Sequence, residues 1–310
     1  MSKSTAMQKD DNYLLDRDEF KKFNIRKGVD LSKTNWFRVG GVAQYLFKPE
    51  NARDLADFFS VLPKEIPVTV LGVGSNVIIR DSGIDGVVIK LGRDFNYCRL
   101  KDDEVSIEAG ASTLDINVAL VSADCAIEGL EFLSGIPGTI GGAVRMNAGA
   151  YGSDVSQVLV EAEVVKRDGT IRRVTNSDIG FVYRNSNLPK WCVITSAVFK
   201  GRAGDSEKVA SRIEEISRKR EETQPIRMST GGSTFKNPMG HKAWELIEMA
   251  GCRGMVRGGA QVSEKHCNFL INNGGATAAD LEGLGEEVIK RVFEKTGITL
   301  EWEIKRIGNR

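Results

Sequence analysis

The segment of this sequence best suited to binding a charged ligand is the glycine-rich stretch EFLSGIPGTIGGAVRMNAGAY, at Glu131–Tyr151. Glycine permits positive φ angles and lets another group approach the backbone closely. Backbone N–H groups that are exposed in such a loop form a concave site for anions. The pattern therefore predicts a diphosphate site that uses Gly135, Gly138, Gly141 and Gly142.

The alternative for this stretch is a tight structural crossover between strands. It has no stripe of large apolar residues at helical spacing, so an ordinary amphipathic helix is not expected. It is also too short and too rich in glycine to cross a membrane. Ligand binding is favoured, because glycine costs roughly 0.5–1 kcal/mol per residue where regular structure was possible.

Another glycine loop lies earlier in the chain, at Gly72-Val73-Gly74-Ser75-Asn76, and it follows the buried strand predicted at Val68–Leu71. It resembles half of a dinucleotide fingerprint, but the full GxGxxG is missing. The next residues, Val77–Arg80, predict a β-branched strand rather than a helix, so a Rossmann fold is disfavoured. Taken alone, the loop is compatible with a cofactor loop or with a plain hairpin.

Composition limits the function further. A chain of 310 residues with a formal net charge of +1 can form two or three domains and has no basic stripe, which argues against bulk nucleic-acid binding. Five cysteines without CxxC spacing and two histidines predict neither a disulfide framework nor a metal site. The N-terminus lacks an apolar signal core, so we expect a cytoplasmic protein without membrane insertion. Residues 1–22 are predicted to be a peripheral or disordered lead-in.

Strand and helix patterns position the two glycine loops in the first two thirds of the chain. Asn51 is a good N-cap for an amphipathic helix, and Asp168-Gly169 predicts a hairpin turn. A strand is predicted at Cys192–Lys200, before the polar boundary at Gly201–Asp205.

The last third reads as a compact α+β unit. A charged helix is predicted at Ser206–Glu222, and the loop Ser229–Met239 contains GGSTFKNP. Thr277 is predicted to cap a helix that runs to about Lys295, and Thr299–Ile307 is predicted to be a final strand.

Six sequence blocks occur in a characteristic order: LGVGSN at 71–76, GIPGTIGGAVRMNAGAYG at 135–152, YRNS at 183–186, GSTFKNP at 232–238, GGAQVSEKHCNFLIN at 258–272 and LEWEIKRIG at 300–308. Together they resemble the UDP-N-acetylenolpyruvoylglucosamine reductases, flavin enzymes of bacterial peptidoglycan precursor synthesis. The blocks span nearly the whole chain from Thr34 onward. No long insertion follows Arg184, which resembles the shorter, type II-like subtype.

This resemblance implies an α+β fold with a two-subdomain FAD-binding module of the vanillyl-alcohol-oxidase (PCMH) type and a smaller C-terminal α+β substrate domain. The expected FAD-binding domain is 23–203, with subdomains at about 23–100 and 101–203. The expected substrate domain is 204–310. A fold of this type agrees with the missing Rossmann fingerprint.

The chemistry implied by the resemblance is NADPH-dependent reduction of UDP-N-acetylglucosamine enolpyruvate to UDP-N-acetylmuramate. NADPH reduces FAD, and flavin N5 then passes hydride to the substrate's methylene carbon. The adjacent carbon is protonated by a serine. No His–Cys linkage motif lies near the glycine loops, so non-covalent FAD is expected. The expected partners are the UDP-sugar and NADPH, with no nucleic acid, and we expect a monomer.

Three residues match the family's catalytic set. Ser233 would donate the proton, and the positive charge of Lys236 would favour its alkoxide form. Arg184 would pair with the substrate carboxylate through its fork of donors. Glu303 would polarise the enolpyruvyl group or orient Arg184. From residue type alone, Ser233 reads as a turn residue and the other two as a structural ion pair.

The resemblance also implies two sets of binding residues. Arg220 would reach FAD or the substrate diphosphate, unless it is a solvated charge on a helix face. The residues expected to bind FAD are Gly72, Val73, Gly74, Ser75, Asn76, Ser134, Gly135, Gly138, Thr139, Gly141, Gly142, Asn147 and Arg220. Those expected to bind the UDP-sugar are Tyr183, Lys236, Asn237 and Gln261.

Some positions depart from the family pattern. Arg145 and Met146 stand where smaller or less charged residues are expected in the flavin cleft. Lys305 replaces an arginine found in some relatives, which keeps the charge but loses the bidentate fork.

Two other functions remain open. One is a flavin oxidase or dehydrogenase of the same fold that acts on an alcohol or sugar. The other is a nucleotide-binding regulatory protein without turnover. The joint presence of Ser233, Arg184 and Glu303 argues against the second.

Overall fold

The computed structural model of the chain describes Leu15 and residues 18–309. In this part of the chain, three sheets of four or five strands and several two-stranded ribbons are covered by helices. The helices, with the short 3-10 turns included, are Asp18–Phe20, Ser32–Thr34, Ala52–Val61, Arg93–Phe95, Asp115–Asp124, Glu131–Gly135, Ile140–Met146, Val155–Val158, Asn176–Ile179, Ser206–Thr223, Ala243–Met249 and Ala278–Thr296.

The first subdomain is a four-stranded sheet with a helix against it. Asn51 begins the helix Ala52–Val61 by accepting a hydrogen bond from the Asp54 N–H at 2.9 Å, which confirms the predicted cap. The first two strands are antiparallel, and the last three are parallel to one another. In spatial order the strands are Ile25–Asp30, Val42–Phe47, Ile84–Ile89 and Val68–Val70.

Most of the predicted lead-in, residues 1–22, lies outside the described residues. Its described end packs into the first subdomain. Phe20 is 1 % exposed, and its ring lies edge-on to that of Phe58 with the centroids 6.1 Å apart. Residues near position 20 therefore contribute to the hydrophobic core.

The second subdomain is a five-stranded antiparallel sheet. The helices Asp115–Asp124 and Ile140–Met146 pack against it and share its core. The predicted hairpin around Asp168-Gly169 is confirmed. The strand predicted at Cys192–Lys200 is confirmed at Val193–Lys200. In spatial order the strands are Ile171–Thr175, Leu159–Val165, Val193–Lys200, Ser106–Gly110 and Cys98–Leu100.

The predicted charged helix is confirmed at Ser206–Thr223. Its buried residues Val209 and Ile213 lie in the core of the second subdomain rather than in the C-terminal unit. The expected boundary at residue 204 therefore separates this helix from the subdomain on which it packs. The physical reason is that the apolar stripe of the helix Ser206–Thr223 packs on the helix Asp115–Asp124. We propose a boundary after Thr223 instead.

The C-terminal domain is a four-stranded antiparallel sheet covered by two helices. Thr277 and Asp280 form a capping box at the start of Ala278–Thr296, and Gly297 ends this helix with a φ of 74°. The predicted cap is thus confirmed. In spatial order the strands are Ser229–Ser233, Phe269–Asn272, Ala260–Val262 and Val256–Arg257.

The end of the chain returns to the first subdomain. The strand Lys305–Ile307 pairs in parallel with Val77–Ile79, and it is shorter than the predicted Thr299–Ile307. Val77–Ile79 does not pair with Val68–Val70, so the plain-hairpin alternative for the Gly72–Asn76 loop is wrong. The two strands around that loop belong to different sheets.

Two adjacent side chains of the first subdomain also hold the C-terminal helix. Arg80 Nε and Nη2 donate to the two carboxylate oxygens of Glu282 at 2.8 and 3.2 Å. Asp81 accepts the first N–H groups of the helix from Ala278 and Ala279 at 2.9 and 3.0 Å. Asp81 is favoured there because helix N-termini attract negative charge, and the Arg80–Glu282 contact is a bidentate ion pair. Both contacts fix the C-terminal domain on the first subdomain.

The glycine-rich stretch contains a helix that the sequence analysis did not expect. It contains the helix Ile140–Met146, which buries Ile140, Ala143 and Val144. This i, i+3, i+4 spacing is amphipathic, so the expectation of no such helix was wrong. The physical reason is that small residues suffice where the helix packs closely on the sheet.

Short two-stranded ribbons complete the described part of the chain. They pair Gly149–Ala150 with Ser153–Asp154, Phe181–Val182 with Asn185–Ser186, and Ile127–Glu128 with Arg202–Ala203.

Candidate active site

The two glycine loops lie against each other although about sixty residues separate them in sequence. A Cβ atom on Gly72 would lie 2.7 Å from Thr139 Oγ1. A Cβ atom on Gly138 would lie 3.8 Å from Ser75 Oγ. The Gly72–Asn76 loop and the 134–142 segment therefore form one continuous surface, as expected of two halves of one ligand site.

Close packing within the protein explains three of the four glycines that we predicted to bind a diphosphate. None of the four has a positive φ, so that reason for glycine does not apply here. A side chain would instead meet protein atoms within about 3 Å, which real Cβ atoms rarely tolerate. The contacts are Gly135 with Tyr151 at 2.7 Å, Gly138 with Asp115 at 2.8 Å and Gly141 with Ala111 at 3.1 Å.

Gly142 differs from the other three. It is exposed within the helix Ile140–Met146, and the nearest atom to a Cβ placed there is Thr139 Oγ1 at 3.8 Å. Glycine inside a helix costs about 1 kcal/mol relative to alanine. Among the described residues, no contact within the protein requires glycine at this position. The free space above Gly142 instead fits a ligand that approaches the backbone closely.

A buried carboxyl group beneath this surface was missed by the sequence analysis. Asp115 has no exposed surface, and neither carboxylate oxygen has a hydrogen-bond partner among the described residues. Burial raises the pKa of this carboxyl well above its ordinary value. Its backbone N–H donates to Gly138 O at 3.2 Å. An aspartate near a helix start reads as an ordinary first-turn residue, so the sequence alone carries no signal of its burial.

Arg220 brings a partly buried positive charge to the same surface. It lies on the helix Ser206–Thr223, and its Nη1 donates to Ser134 O at 3.4 Å. Its Nε has no hydrogen-bond partner among the described residues, and burial lowers the pKa of the guanidinium. A half-buried arginine with an unused donor fits an anionic ligand better than a solvated helix-face charge.

The three predicted catalytic residues come from three distant parts of the chain. Arg184 lies in the turn between Phe181–Val182 and Asn185–Ser186, with a φ of 55°. Its Nε lies 3.1 Å from Glu303 Oε1, and the two side chains are 22 % and 19 % exposed. The pair is therefore largely buried, but each side chain keeps some exposed surface that a ligand could meet.

Backbone pairing brings Ser233 to the same place. The residue after it, Thr234, accepts the Glu303 N–H at 2.8 Å, and the Lys236 N–H donates to Glu301 O at 2.9 Å. Ser233 itself ends the strand Ser229–Ser233. The GSTFKNP and closing blocks therefore run side by side.

The same closing segment touches the first glycine loop. The Lys305 N–H donates to Asn76 O at 3.0 Å, and the Asn76 side-chain amide donates to Glu303 O at 3.4 Å. The predicted catalytic group thus adjoins the predicted cofactor loop.

The electrostatics of this group are dominated by burial and by positive charge. Burial raises the pKa of Glu303, against the attraction of Arg184, Lys236 and Lys305. Burial lowers the pKa of Lys305, and the positive charges of Lys236 and Lys190 lower it further. Several cations around one carboxylate make the site suitable for an anionic substrate.

Two of the predicted binding residues have structural contacts. Asn147 is buried, and its amide donates to Val182 O at 3.2 Å and accepts the Ser156 N–H at 2.9 Å. Asn237 Oδ1 accepts the N–H of Ala243 at 2.9 Å, at the start of a helix. These bonds use the Asn147 side-chain amide and the Asn237 oxygen, but they do not involve the Asn237 NH2 group.

The remaining predicted substrate residues are more open. Tyr183 is 55 % exposed, and the guanidinium of Arg184 lies 5.1 Å from the centre of its ring. Lys236 Nζ lies 3.1 Å from Glu301 Oε2, which is an exposed partner. Gln261 is half-buried on the strand Ala260–Val262.

No group of three or more His, Cys, Asp or Glu side chains among the described residues could hold a metal ion. No helix in the same part of the chain combines the length and apolar character needed to cross a membrane.

The fold and the paired glycine loops define an FAD-binding oxidoreductase. The family model described as "FAD binding domain" matches residues 43–175. The model described as "UDP-N-acetylenolpyruvoylglucosamine reductase, C-terminal domain" matches residues 224–307. The expected α+β fold, with a two-subdomain FAD-binding module of the vanillyl-alcohol-oxidase type and a C-terminal domain, is confirmed by these matches and by the related structure below.

Relatives cover almost all of the chain. It is 54 % identical to the UDP-N-acetylenolpyruvoylglucosamine reductase of Methylorubrum populi over 92 % of both chains. It is 54 % identical to the protein of that name from Paramagnetospirillum magneticum over 89 % of both. The crystal structure of the Thermus caldophilus reductase matches with a TM-score of 0.79 and 34 % identity, over 92 % of this chain and 100 % of that one. The chain belongs to the UDP-N-acetylenolpyruvoylglucosamine reductase family and is an FAD-dependent enzyme.

Proposed function

We propose that the protein reduces UDP-N-acetylglucosamine enolpyruvate to UDP-N-acetylmuramate with NADPH, in peptidoglycan precursor synthesis. The observation that carries this proposal is the Arg184–Glu303 pair beside the Gly72–Asn76 loop, together with the backbone bond from Glu303 to Thr234, the residue after Ser233. When bound there, FAD supplies the hydride chemistry between NADPH and the substrate's methylene carbon. The residues of the chain have to bind, orient and protonate the substrate.

The chain offers two features that fit FAD. The open backbone at Gly142 permits close approach, and the unused donor of Arg220 suits a diphosphate. The Gly72–Asn76 loop and the 134–142 segment would hold the cofactor between them. Asn147 would act at one remove, since its side chain holds the backbone of its neighbours.

Arg184 would bind the carboxylate of the enolpyruvyl group. Its guanidinium offers a planar fork of N–H donors to two oxygens. Glu303 Oε1 lies 3.1 Å from Arg184 Nε, and both side chains are largely buried. We infer that Glu303 orients Arg184 and polarises the enolpyruvyl group as negative charge develops.

Ser233 would donate the proton to the carbon next to the reduced one. An isolated serine is a weak acid, so it needs nearby positive charge to favour its alkoxide form. Lys236 and Lys305 lie close enough to Glu303 to affect its pKa, and they would provide that charge.

The uridine diphosphate would meet the exposed polar groups beyond the reacting centre. Tyr183 and Lys236 have the exposure and chemistry for this role. Gln261 is half-buried on a strand of the C-terminal domain. Asn237 would contribute through its NH2 group, because its oxygen already accepts a backbone bond. We expect the protein to act as a monomer in the cytoplasm.

The test is anaerobic stopped-flow absorbance of the purified protein. After reduction by NADPH, addition of UDP-N-acetylglucosamine enolpyruvate should rapidly restore the oxidised flavin band. Ser233→Ala should leave flavin reduction intact and slow reoxidation by about 10²–10⁴, the usual contribution of a general acid. Ser229→Ala, on the same strand, is the matched control. Normal reoxidation in Ser233→Ala would remove Ser233 from the mechanism.

A flavin that is reduced by NADPH but not reoxidised by this substrate would favour an oxidase or dehydrogenase of the same fold. Bound flavin without turnover of any substrate would favour a regulatory protein. Purified protein without flavin would contradict the cofactor site itself.

A further inference from the structure

Arg145, which departs from the expected pattern of the flavin cleft, uses its side chain to hold another segment of the protein. Its Nη1 donates to Leu188 O at 2.8 Å and to Pro189 O at 3.1 Å, and its Nη2 donates to Cys192 O. Burial lowers the pKa of this guanidinium. The hydrogen bonds of a half-buried charge are thus directed at three carbonyl groups of one short segment.

The segment that Arg145 holds follows directly after the catalytic turn. Ser186 Oγ donates to Arg145 O at 2.9 Å, and the Asn147 amide donates to Val182 O at 3.2 Å. Both ends of the ribbon that contains Arg184 are therefore attached to the same end of one helix. The turn residue Arg184 itself has a positive φ, which a non-glycine residue keeps only where its surroundings fix it.

The other end of that helix begins at the second glycine loop. Thr139 is the N-cap residue of the helix Ile140–Met146, and its Oγ1 would lie 2.7 Å from a Cβ atom placed on Gly72. One short, packed helix thus joins the predicted flavin surface to the attachment points of Arg184. Its seven residues span only about 10 Å at 1.5 Å per residue.

We propose that Arg145 is a positioning residue that fixes Arg184 relative to the flavin surface by holding residues 186–192 against the helix Ile140–Met146. This inference rests on the proposed role of Arg184 in substrate binding. An apolar side chain could fill the same space without desolvating a charge, but it could not hold three carbonyl groups. The planar fork of donors reaches all three, whereas a lysine ammonium is a single point of charge.

The held segment also contains Lys190, which helps to lower the pKa of Lys305. Release of residues 186–192 would therefore move a positive charge near the substrate site as well as Arg184. Both effects would weaken substrate binding without touching the flavin loops.

The experiment compares Arg145→Lys and Arg145→Met with the parent protein. Arg172→Lys, at an exposed strand position, is the matched control. We expect the FAD content and the rate of reduction by NADPH to change less than twofold. We expect the substrate dissociation constant, read from the flavin absorbance, to rise about tenfold, and reoxidation by substrate to slow by about 10–100-fold. Unchanged substrate affinity and reoxidation in both variants would overturn the proposal.

A second variant covers the case in which the Arg145 variants do not fold. Ser186→Ala removes one attachment only and should produce the same selective effect at about two- to fivefold. Selective loss of FAD, or an equal effect on both half-reactions, would overturn the positioning role.

Two further measurements separate this proposal from the proposed function. In an Arg184→Met background the effect of Arg145→Lys on substrate affinity should shrink to the part that acts through Lys190, because the larger part acts through Arg184. If Arg184→Met alone leaves the substrate affinity unchanged, the role of Arg184 fails. Amide hydrogen exchange needs no substrate: Arg145→Lys should speed exchange in residues 182–192 but not in 72–76. Unchanged exchange in 182–192 would overturn the positioning role even if the proposed function holds.

Discussion

Replacing Glu303 with glutamine should separate the activity of this protein from its stability. Glu303 Oε1 lies 3.1 Å from Arg184 Nε, and both side chains are about four-fifths buried. At this distance, an effective dielectric constant of 20 gives an attraction of about 5 kcal/mol. On that figure alone, loss of the charge would strongly destabilise the fold.

The opposing desolvation of each charge also amounts to several kcal/mol. Burial is the largest influence on the pKa of Glu303 and raises it, although Arg184, Lys236 and Lys305 all act to lower it. Ionised Glu303 is therefore less favourable in the folded chain than in the unfolded one. Glutamine resembles the protonated acid, so the free energy of unfolding at pH 7 should stay level or rise by about 0–1 kcal/mol.

The dependence of stability on pH follows from the raised pKa of Glu303. The folded pKa lies above the unfolded value of 4.5, so ionisation begins to favour the unfolded chain as pH rises through that value. Any stability advantage of Glu303→Gln should therefore grow upward from about pH 4.5 and vanish below it.

Thermal unfolding and stopped-flow kinetics provide the assay. The melting temperature of Glu303→Gln at pH 7 should change by roughly 0 to +3 °C, while reoxidation of the flavin by substrate should slow by about 10²–10³. The control is Glu301→Gln, whose carboxylate is 74 % exposed beside Lys236. A loss of about 3–5 kcal/mol in Glu303→Gln, as for a broken buried pair, would refute the reasoning.

Two further predictions concern the glycine surface. Gly72→Ala places a Cβ 2.7 Å from Thr139 Oγ1, so either the Thr139 side chain rotates or the two loops separate, and we expect the FAD content to fall. Gly142→Ala, with 3.8 Å of room, should keep the fold, and full FAD content in Gly72→Ala would contradict the importance of the close approach. Because the pKa of Asp115 is raised in the folded chain, ionisation of this carboxyl favours the unfolded chain above about pH 4. The melting temperature of Asp115→Asn should therefore increase relative to that of the parent as pH rises from 5 to 8. A difference in melting temperature that shrinks with pH would contradict the burial argument.

The elements that depend on local signals were predictable from the sequence. The caps at Asn51 and Thr277 and the Asp168-Gly169 turn all lie where their residue types predicted. Each signal acts through hydrogen bonds or φ angles within a few residues, so neighbouring positions suffice to read it. The order of the six blocks was enough to predict the family and its fold.

The reasons for the glycines could not be read locally. Gly135, Gly138 and Gly141 are small because Tyr151, Asp115 and Ala111 lie against them, and only Gly142 leaves open space. Each contact depends on how the helix Ile140–Met146 is laid on the sheet. A sequence signals that a small residue is present, but it does not show which neighbour requires it.

The sequence by itself determined the local elements and the chemistry available in the blocks that contain Ser233, Arg184 and Glu303. Only the tertiary structure decided that the last strand, Lys305–Ile307, pairs with Val77–Ile79. This pairing carries Glu303 to the first glycine loop and to Arg184. The physical reason is that pairing between distant strands depends on the whole packed core, which no local pattern encodes.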